Sequence, residues 1–231
     1  MKKIIIFSTN DEIVSLHLVN TIVSNEKFKD FEFHILLSNP GIIRKIKIFV
    51  IILLFGSLKA LLKRSLKRIS INKIINKNKN CKVVSYVDEK IDYDYGLSVY
   101  CSSKIKLQNF KIYNFHLGSL KNQRGSFIFF YKYFKNWKKI TLSFHEISER
   151  FDVGKVLNEK QIDLSLDYKP TEIIFAYLDN QEFLIESIQK IGKVEGILYE
   201  NVERLNYVPS FANLLRDILK LFFKKLTILK P

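Results

Sequence analysis

Apolar and polar positions recur along this chain with periods that set out most of its elements. Residues 2–8 hold four consecutive apolar side chains, Ile4 to Phe7. A short, β-branched run of that kind predicts a first strand. Residues 11–24 switch to helical spacing, with Ile13, Leu16, Val19 and Ile22/Val23 on one face, and Asn10 or Asp11 is placed to cap that helix. A second strand spans Glu32–Leu37 and is stopped by Asn39-Pro40-Gly41. A long helix is predicted from about Ile42 to Arg68, followed by an Asn/Lys-rich stretch, Asn72–Asn80, that reads as a solvated loop. Strands follow at Cys81–Val87, Leu97–Cys101 and 112–116, then a helix near 125–135. The segment 139–163 is rich in strand formers, Thr171-Glu172 opens a helix continuing to about Lys190, and 196–199 is a candidate short strand. Strands alternating with helices predict an α/β protein built on an open, mostly parallel sheet with helices on both faces. In such sheets ligands bind beyond the carboxyl ends of the strands.

Composition narrows this picture without redirecting it. The chain has 231 residues and is 47% hydrophobic, with 19 Phe and 11 Tyr, which suits one α/β domain with a buried core and excludes general disorder. The net charge of +15 admits a nucleic-acid partner, yet Lys outweighs Arg and no aromatic-basic RNA-binding motif is present. Cys81 and Cys101 lack CxxC spacing and lie in apolar, strand-like surroundings, so reduced core thiols in a cytoplasmic protein are expected. The apolar run after Lys2-Lys3 stops at Phe7, and Asn10, Asp11 and Glu12 follow soon after. That is too short for the apolar region of a signal peptide.

Two segments stand apart. The uncharged run 48–58, flanked by Lys45, Lys47, Lys59, Lys63 and Arg64, falls well short of the ~20 residues that span a bilayer. It reads as a buried helix, with a basic, interface-lying helix at the inner membrane face as the alternative. In 211–229, Phe211, Leu214, Leu215, Ile218, Phe222 and Leu226 share one helical face while Arg216, Lys220 and Lys224 share another. This face suits packing on the sheet, a homodimer contact or peripheral membrane contact. The expected organisation is a catalytic domain over 1–195 and an extension with an amphipathic helix over 196–231.

The candidate chemistry lies in Asn114-Phe115-His116 and, 36 positions beyond His116, in Asp152-Val153-Gly154. Residues i and i+2 of a strand share a face, so Asn114 and His116 project together from the strand over 112–116. With Leu117-Gly118-Ser119-Leu120, Arg124-Gly125 and Phe151-Asp152-Val153-Gly154-Lys155, the pattern resembles the formyltransferase family that uses 10-formyltetrahydrofolate. It covers residues 80–165 well and the remainder in outline. The resemblance implies a Rossmann-like formyltransferase fold and a catalytic set of Asn114, His116 and Asp152. Asn114 would hydrogen-bond the formyl oxygen, His116 would stabilise the developing negative charge, and Asp152 would hold His116 and relay the amine proton. It also implies folate contacts, largely through backbone, around Tyr100, Cys101, Ser102 and Glu149. Ser119, Arg124 and Gly125 would bind the acceptor.

Other residues carry less. His145-Glu146 lacks the second His of an HExxH metal site, so no metal is expected, and His17 and His34 read as structural. Ser119 has no G-x-S-x-G elbow, and neither GxGxxG nor Walker A loops occur. Two departures bear on the acceptor. The family's Ser-Leu-Leu-Pro segment is Ser119-Leu120-Lys121-Asn122 here, without the proline. The segment after the first strand is Ser8-Thr9-Asn10-Asp11, without the glycines of a phosphate cradle. About 65 residues follow the core, fewer than the appended domain of methionyl-tRNA formyltransferases, and no N-terminal regulatory domain of a folate hydrolase is in view. The expected acceptor is therefore an amino sugar, nucleotide-linked and bound for a surface polysaccharide. The alternatives are a methionyl-tRNA formyltransferase-like enzyme without its C-terminal domain and a degenerate, non-catalytic module.

Overall fold

The computed structural model describes residues 1–10, 14–39, 41, 69–101, 103–125, 138–150, 152–164, 173, 175–200 and 202. Seven strands form one sheet: β1 (Lys2–Thr9), β2 (Phe31–Ser38), β3 (Cys81–Val84), β4 (Tyr95–Val99), β5 (Ile112–Leu117), β6 (Lys139–Glu146) and β7 (Val156–Asp163). Their order is β3-β2-β1-β4-β5-β6-β7. The contacts among β1 to β5 are parallel, while β6 runs antiparallel to both β5 and β7. The largely parallel open sheet expected from the sequence is present, closed on one side by an antiparallel pair.

The period-2 rule sorts each strand between two layers. In β1, Ile4 and Ile6 enter the main core while Ile5 and Phe7 enter a second one on the opposite face. All four are buried on both sides of the sheet, hence the unbroken apolar run. Among the described residues the main core lies under four helices, α1 (Ser15–Val23), α2 (Ile71–Lys77), α3 (Ala176–Asp179) and α4 (Gln181–Gln189). Leu16, Val19, Ile22 and Val23 of α1 are buried, as the helical spacing predicts. Asn10 does not cap α1: no side-chain cap bond forms there, and the Asn10 amide instead meets Asn39. The helix expected to run to Lys190 is interrupted at Asn180, whose φ of −128° is not helical and whose side chain bonds the Ala176 carbonyl at 2.8 Å.

The Asn/Lys-rich stretch is not a loop. Ile71–Lys77 is a helix, α2, started by the Ser70 hydroxyl, which accepts from Lys73 N, and anchored by buried Ile74 with Ile71 and Ile75 against the core. Three isoleucines at i, i+3 and i+4 outweigh the polar composition around them. The third strand ends at Val84, where pairing with β2 stops at Leu36. The fourth ends at Val99, because Tyr100 turns into the left-handed region at φ 51°. Residues 196–199 contribute one bridge, Ile197 to Val156, rather than a strand. The predicted helices at 42–68 and 211–229 lie outside the described residues, as do 126–135. Among the described residues no helix is long and apolar enough to cross a membrane. Both cysteines are free, Cys81 buried and Cys101 only half-buried. His34 is structural as expected, its ring nitrogens meeting Tyr93 Oη at 2.6 Å and Glu32 Oε1 at 2.8 Å.

Candidate active site

The strand β5 divides its side chains by layer. Tyr113 and Phe115 enter the main core, where Phe115 packs on Phe144 with ring centroids 4.5 Å apart. Ile112 therefore faces the other way, with Asn114 and His116 following it on that face toward the carboxyl end. The neighbouring β6 repeats the division. Leu142 and Phe144 are core, while Thr141, Ser143 and His145 are polar yet buried. Register places Asn114 opposite His145 and His116 opposite Ser143. Tyr177, fully buried below, donates to the backbone carbonyls of His116 at 2.6 Å and Ser143 at 3.0 Å, tying the two strands at this row.

Asp152 arrives from the loop joining β6 to β7. That loop is closed by Glu146 N to Lys155 O at 2.9 Å, and Ile147 N reaches back to Ile112 O at 2.7 Å. Asp152 adopts a left-handed backbone, φ 48°, which Asp tolerates better than most residues. Among the described residues only Tyr100 and Asp152 are non-glycine residues with positive φ. Tyr100 follows the end of β4 and Asp152 lies in the turn between β6 and β7, and such backbone conformations concentrate at functional sites. The Asp152 carboxylate lies 3.5 Å (Oδ1) from His116 Nδ1 and accepts at 2.7 Å (Oδ2) from Gly125 N–H. Its backbone carbonyl accepts from Arg124 Nε at 2.8 Å.

These contacts define the charge states. Burial pushes the Asp152 carboxyl up, but the positive charge of His116, that of His145 in acid where it is protonated, the Gly125 N–H and the Arg124 guanidinium outweigh it. The carboxyl is held below its ordinary value and stays ionised. His145 goes the other way: burial, then the positive charge of His116, push it down to about 4, against opposing pulls from Asp152 and the Glu146 carbonyl. It is neutral at pH 7. Its Nδ1 faces the Glu146 carbonyl at 2.9 Å and must carry the ring proton, because a carbonyl only accepts. Its Nε2 is then a bare acceptor for the Asn114 amide at 3.2 Å. His145 thereby orients the Asn114 NH₂.

His145 escapes a motif-based reading because its partner sits on another strand. The available signal is Thr141, Ser143 and His145 at every second position, alternating with Ile140, Leu142 and Phe144. Its depressed basicity also has a consequence for stability. Between the ordinary value of 6.5 and about 4 the unfolded chain binds a proton that the folded one refuses, so stability falls as pH falls through that window. His145→Gln is expected to flatten this part of the stability profile, measured by urea denaturation between pH 7 and pH 4; an unaltered slope would show that His145 does not control it.

The other sequence-predicted residues fall as follows. Arg124 is buried and, with Gly125, bonds the Asp152 turn. Ser119 lies in the loop after β5, its hydroxyl 3.5 Å from Glu159 on β7. Tyr100 ends β4, stacks edge-on against Tyr177 and receives the Thr9 hydroxyl on its carbonyl at 2.7 Å. Cys101 is half-buried beside it, Glu149 is exposed on the Asp152 loop, and Ser102 lies outside the described residues. Thr9, like Ser8, is tied into the sheet through its hydroxyl, and residues 11–13 after it lie outside the described residues. No group of metal ligands occurs among the described residues.

No protein-family model and no curated protein sequence matches this chain. Solved structures do match. The N-formyltransferase of Helicobacter canadensis, in complex with folinic acid and dTDP-3-aminofucose, superposes with a TM-score of 0.61 at 16% identity, over 90% of this chain and 71% of that one. The fold is that of the formyltransferases. A 4-N formyltransferase of Francisella tularensis gives a TM-score of 0.55 at 16% identity over 92% of this chain and 77% of its own. HypX of Aquifex aeolicus gives 0.54 at 12% identity over 91% of this chain, which spans only 30% of HypX. The formyltransferase fold expected from the Asn-x-His and Asp-x-Gly spacing is therefore present.

Proposed function

We propose that this protein transfers a formyl group from 10-formyltetrahydrofolate to the amino group of a nucleotide-linked sugar. The observation that carries the reading is the meeting of Asn114, His116 and Asp152, from two separate segments, at the carboxyl end of a strand in a formyltransferase-type sheet. The donor set fits the donor substrate: an oriented neutral amide and an imidazole paired with a carboxylate suit an oxygen that gains negative charge.

The bound folate supplies an activated formyl group. Asn114 donates its amide N–H to the formyl oxygen, aimed by His145. His116, paired with the Asp152 carboxylate, places positive charge where the oxygen becomes anionic. Asp152, kept ionised, accepts the proton that the attacking amine loses and returns it toward the leaving folate nitrogen directly or through water. Tyr100, Cys101 and the loop bearing Glu149 would hold the folate, largely through backbone groups. Ser119 would lie on the acceptor side. The lack of glycine in Ser8-Thr9-Asn10-Asp11 supports a sugar nucleotide over a ribonucleotide amine, and the folinic acid and aminofucose nucleotide held by the H. canadensis enzyme make it the first class to try.

The test is incubation with 10-formyltetrahydrofolate and a panel of nucleotide-linked 3-amino and 4-amino sugars, following folate release and product mass. Turnover with at least one of them is expected. The net charge of +15 favours a second reading, formylation of an aminoacyl-tRNA. It is tested by adding that acceptor to the panel: turnover there alone, with steep loss on adding salt, would replace the sugar as substrate.

A further inference from the structure

We infer that Gln123 is a positioning residue that holds His116 in its working orientation, an inference that rests on the proposed formyl transfer only for its catalytic consequence. The backbone of β5 pairs with β6 through Leu117 opposite Leu142, and Gly118 N adds one bond to Thr141 O at 2.7 Å. The chain then leaves the sheet, and the carboxamide of Gln123 takes its place. Gln123 Oε1 accepts from Thr141 N at 3.0 Å and Ser119 N at 3.3 Å, and Nε2 donates to Lys139 O at 2.9 Å. A side chain thus continues the ladder where a peptide group would have done, and it is buried doing so. The geometry fixes the loop so that the backbone carbonyl of Gln123 lies 2.9 Å from His116 Nε2.

That carbonyl can only accept, so His116 Nε2 points a proton at it, while Nδ1 faces the Asp152 carboxylate, which also only accepts. With an acceptor at each ring nitrogen, the imidazole is fixed in one orientation between Gln123 O and Asp152. Gly118 makes the approach possible. A Cβ there would sit 2.0 Å from Gln123 O and 2.9 Å from His116 Nε2, and its φ of 146° disfavours a side chain in any case.

Nitrogen-15 histidine labelling tests this directly. In the wild-type protein His116 Nε2 is expected to appear as a proton-bearing nitrogen whose proton exchanges slowly with water. Gln123→Met keeps the length and removes all three side-chain bonds; it is expected to speed that exchange at least about tenfold. Turnover should fall roughly 10–100-fold with KM nearly unchanged, the size of effect that a small misplacement of a reacting group produces. Gly118→Ala displaces the carbonyl while keeping the carboxamide, and should give the same signature if Gln123→Met does not fold. A wild-type Nε2 without a proton, or wild-type exchange in a folded variant, overturns the inference. The ring signature needs no acceptor, so a protein that shows it but transfers no formyl group refutes the proposed function and leaves the positioning role standing.

Discussion

Asp152→Asn is expected to lower turnover by roughly 10²–10⁴-fold, the range for loss of a positioned acid or base, while the protein remains folded. Asparagine is nearly isosteric, accepts the left-handed backbone that Asp152 adopts at φ 48°, and can still accept from Gly125 N–H at the Oδ2 position. What it cannot do is face His116 Nδ1 as an anion or take the proton that the amine gives up. The stability cost should stay near that of weakening a charge-assisted hydrogen bond, about 1–3 kcal/mol. It should be greatest at neutral pH and vanish in acid: a carboxyl held below its ordinary value stabilises above that value and loses the contribution as pH falls through the lowered one. His116→Ala removes the same pair from the other side and should abolish turnover. Both variants are to be assayed with saturating donor and the best acceptor, with circular dichroism to confirm folding. Wild-type turnover in either would remove these residues from the chemistry.

How much of this was legible beforehand follows from where each kind of information resides. The Asn114/His116 side of the site is encoded locally, because period 2 along five residues puts both on one face of β5. The Asp152 turn is recognisable by its spacing. The β6–β7 hairpin could also be inferred in principle: residues 147–155 are too few for a parallel crossover, which needs a dozen or more. The antiparallel pairing of β5 with β6 could not, since residues 118–138 are numerous enough for either connection. From that hidden register comes the contact between Asn114 and His145, which aims the amide and which no motif records. Gln123 was invisible for a different reason. Its contribution to His116 is a backbone carbonyl, and any residue type supplies one. The helix at 71–77 is hidden by its Asn/Lys-rich composition, whereas the i, i+3, i+4 isoleucines that anchor it carry the local signal.

Gly154→Ala is expected to be the most damaging single methyl group that can be added to the described part of this loop, costing roughly 3 kcal/mol or somewhat more, the upper end for overpacking. A Cβ at 154 would lie 1.9 Å from the Glu146 carbonyl oxygen and 3.0 Å from its carbon. Neither side can yield cheaply. Glu146 N is bonded to Lys155 O at 2.9 Å, immediately beyond the glycine, so moving one strand end away from the other breaks the bond that closes the loop. The Glu146 carbonyl is also the acceptor for His145 Nδ1 at 2.9 Å. Pushing it aside releases the constraint that keeps the His145 Nε2 bare and Asn114 oriented. The glycine of the Asp-x-Gly turn is thus required for close passage of two backbones, and the loss should appear twice, as a lower urea midpoint at unchanged m-value and as reduced turnover in the fraction still folded. Gly41, where an added Cβ would meet nothing within 4 Å, provides the control, with a change within about 0.5 kcal/mol expected for an open surface position. Similar losses at the two positions would mean that the approach of residue 154 to Glu146 is not what holds the Asp152 loop in place.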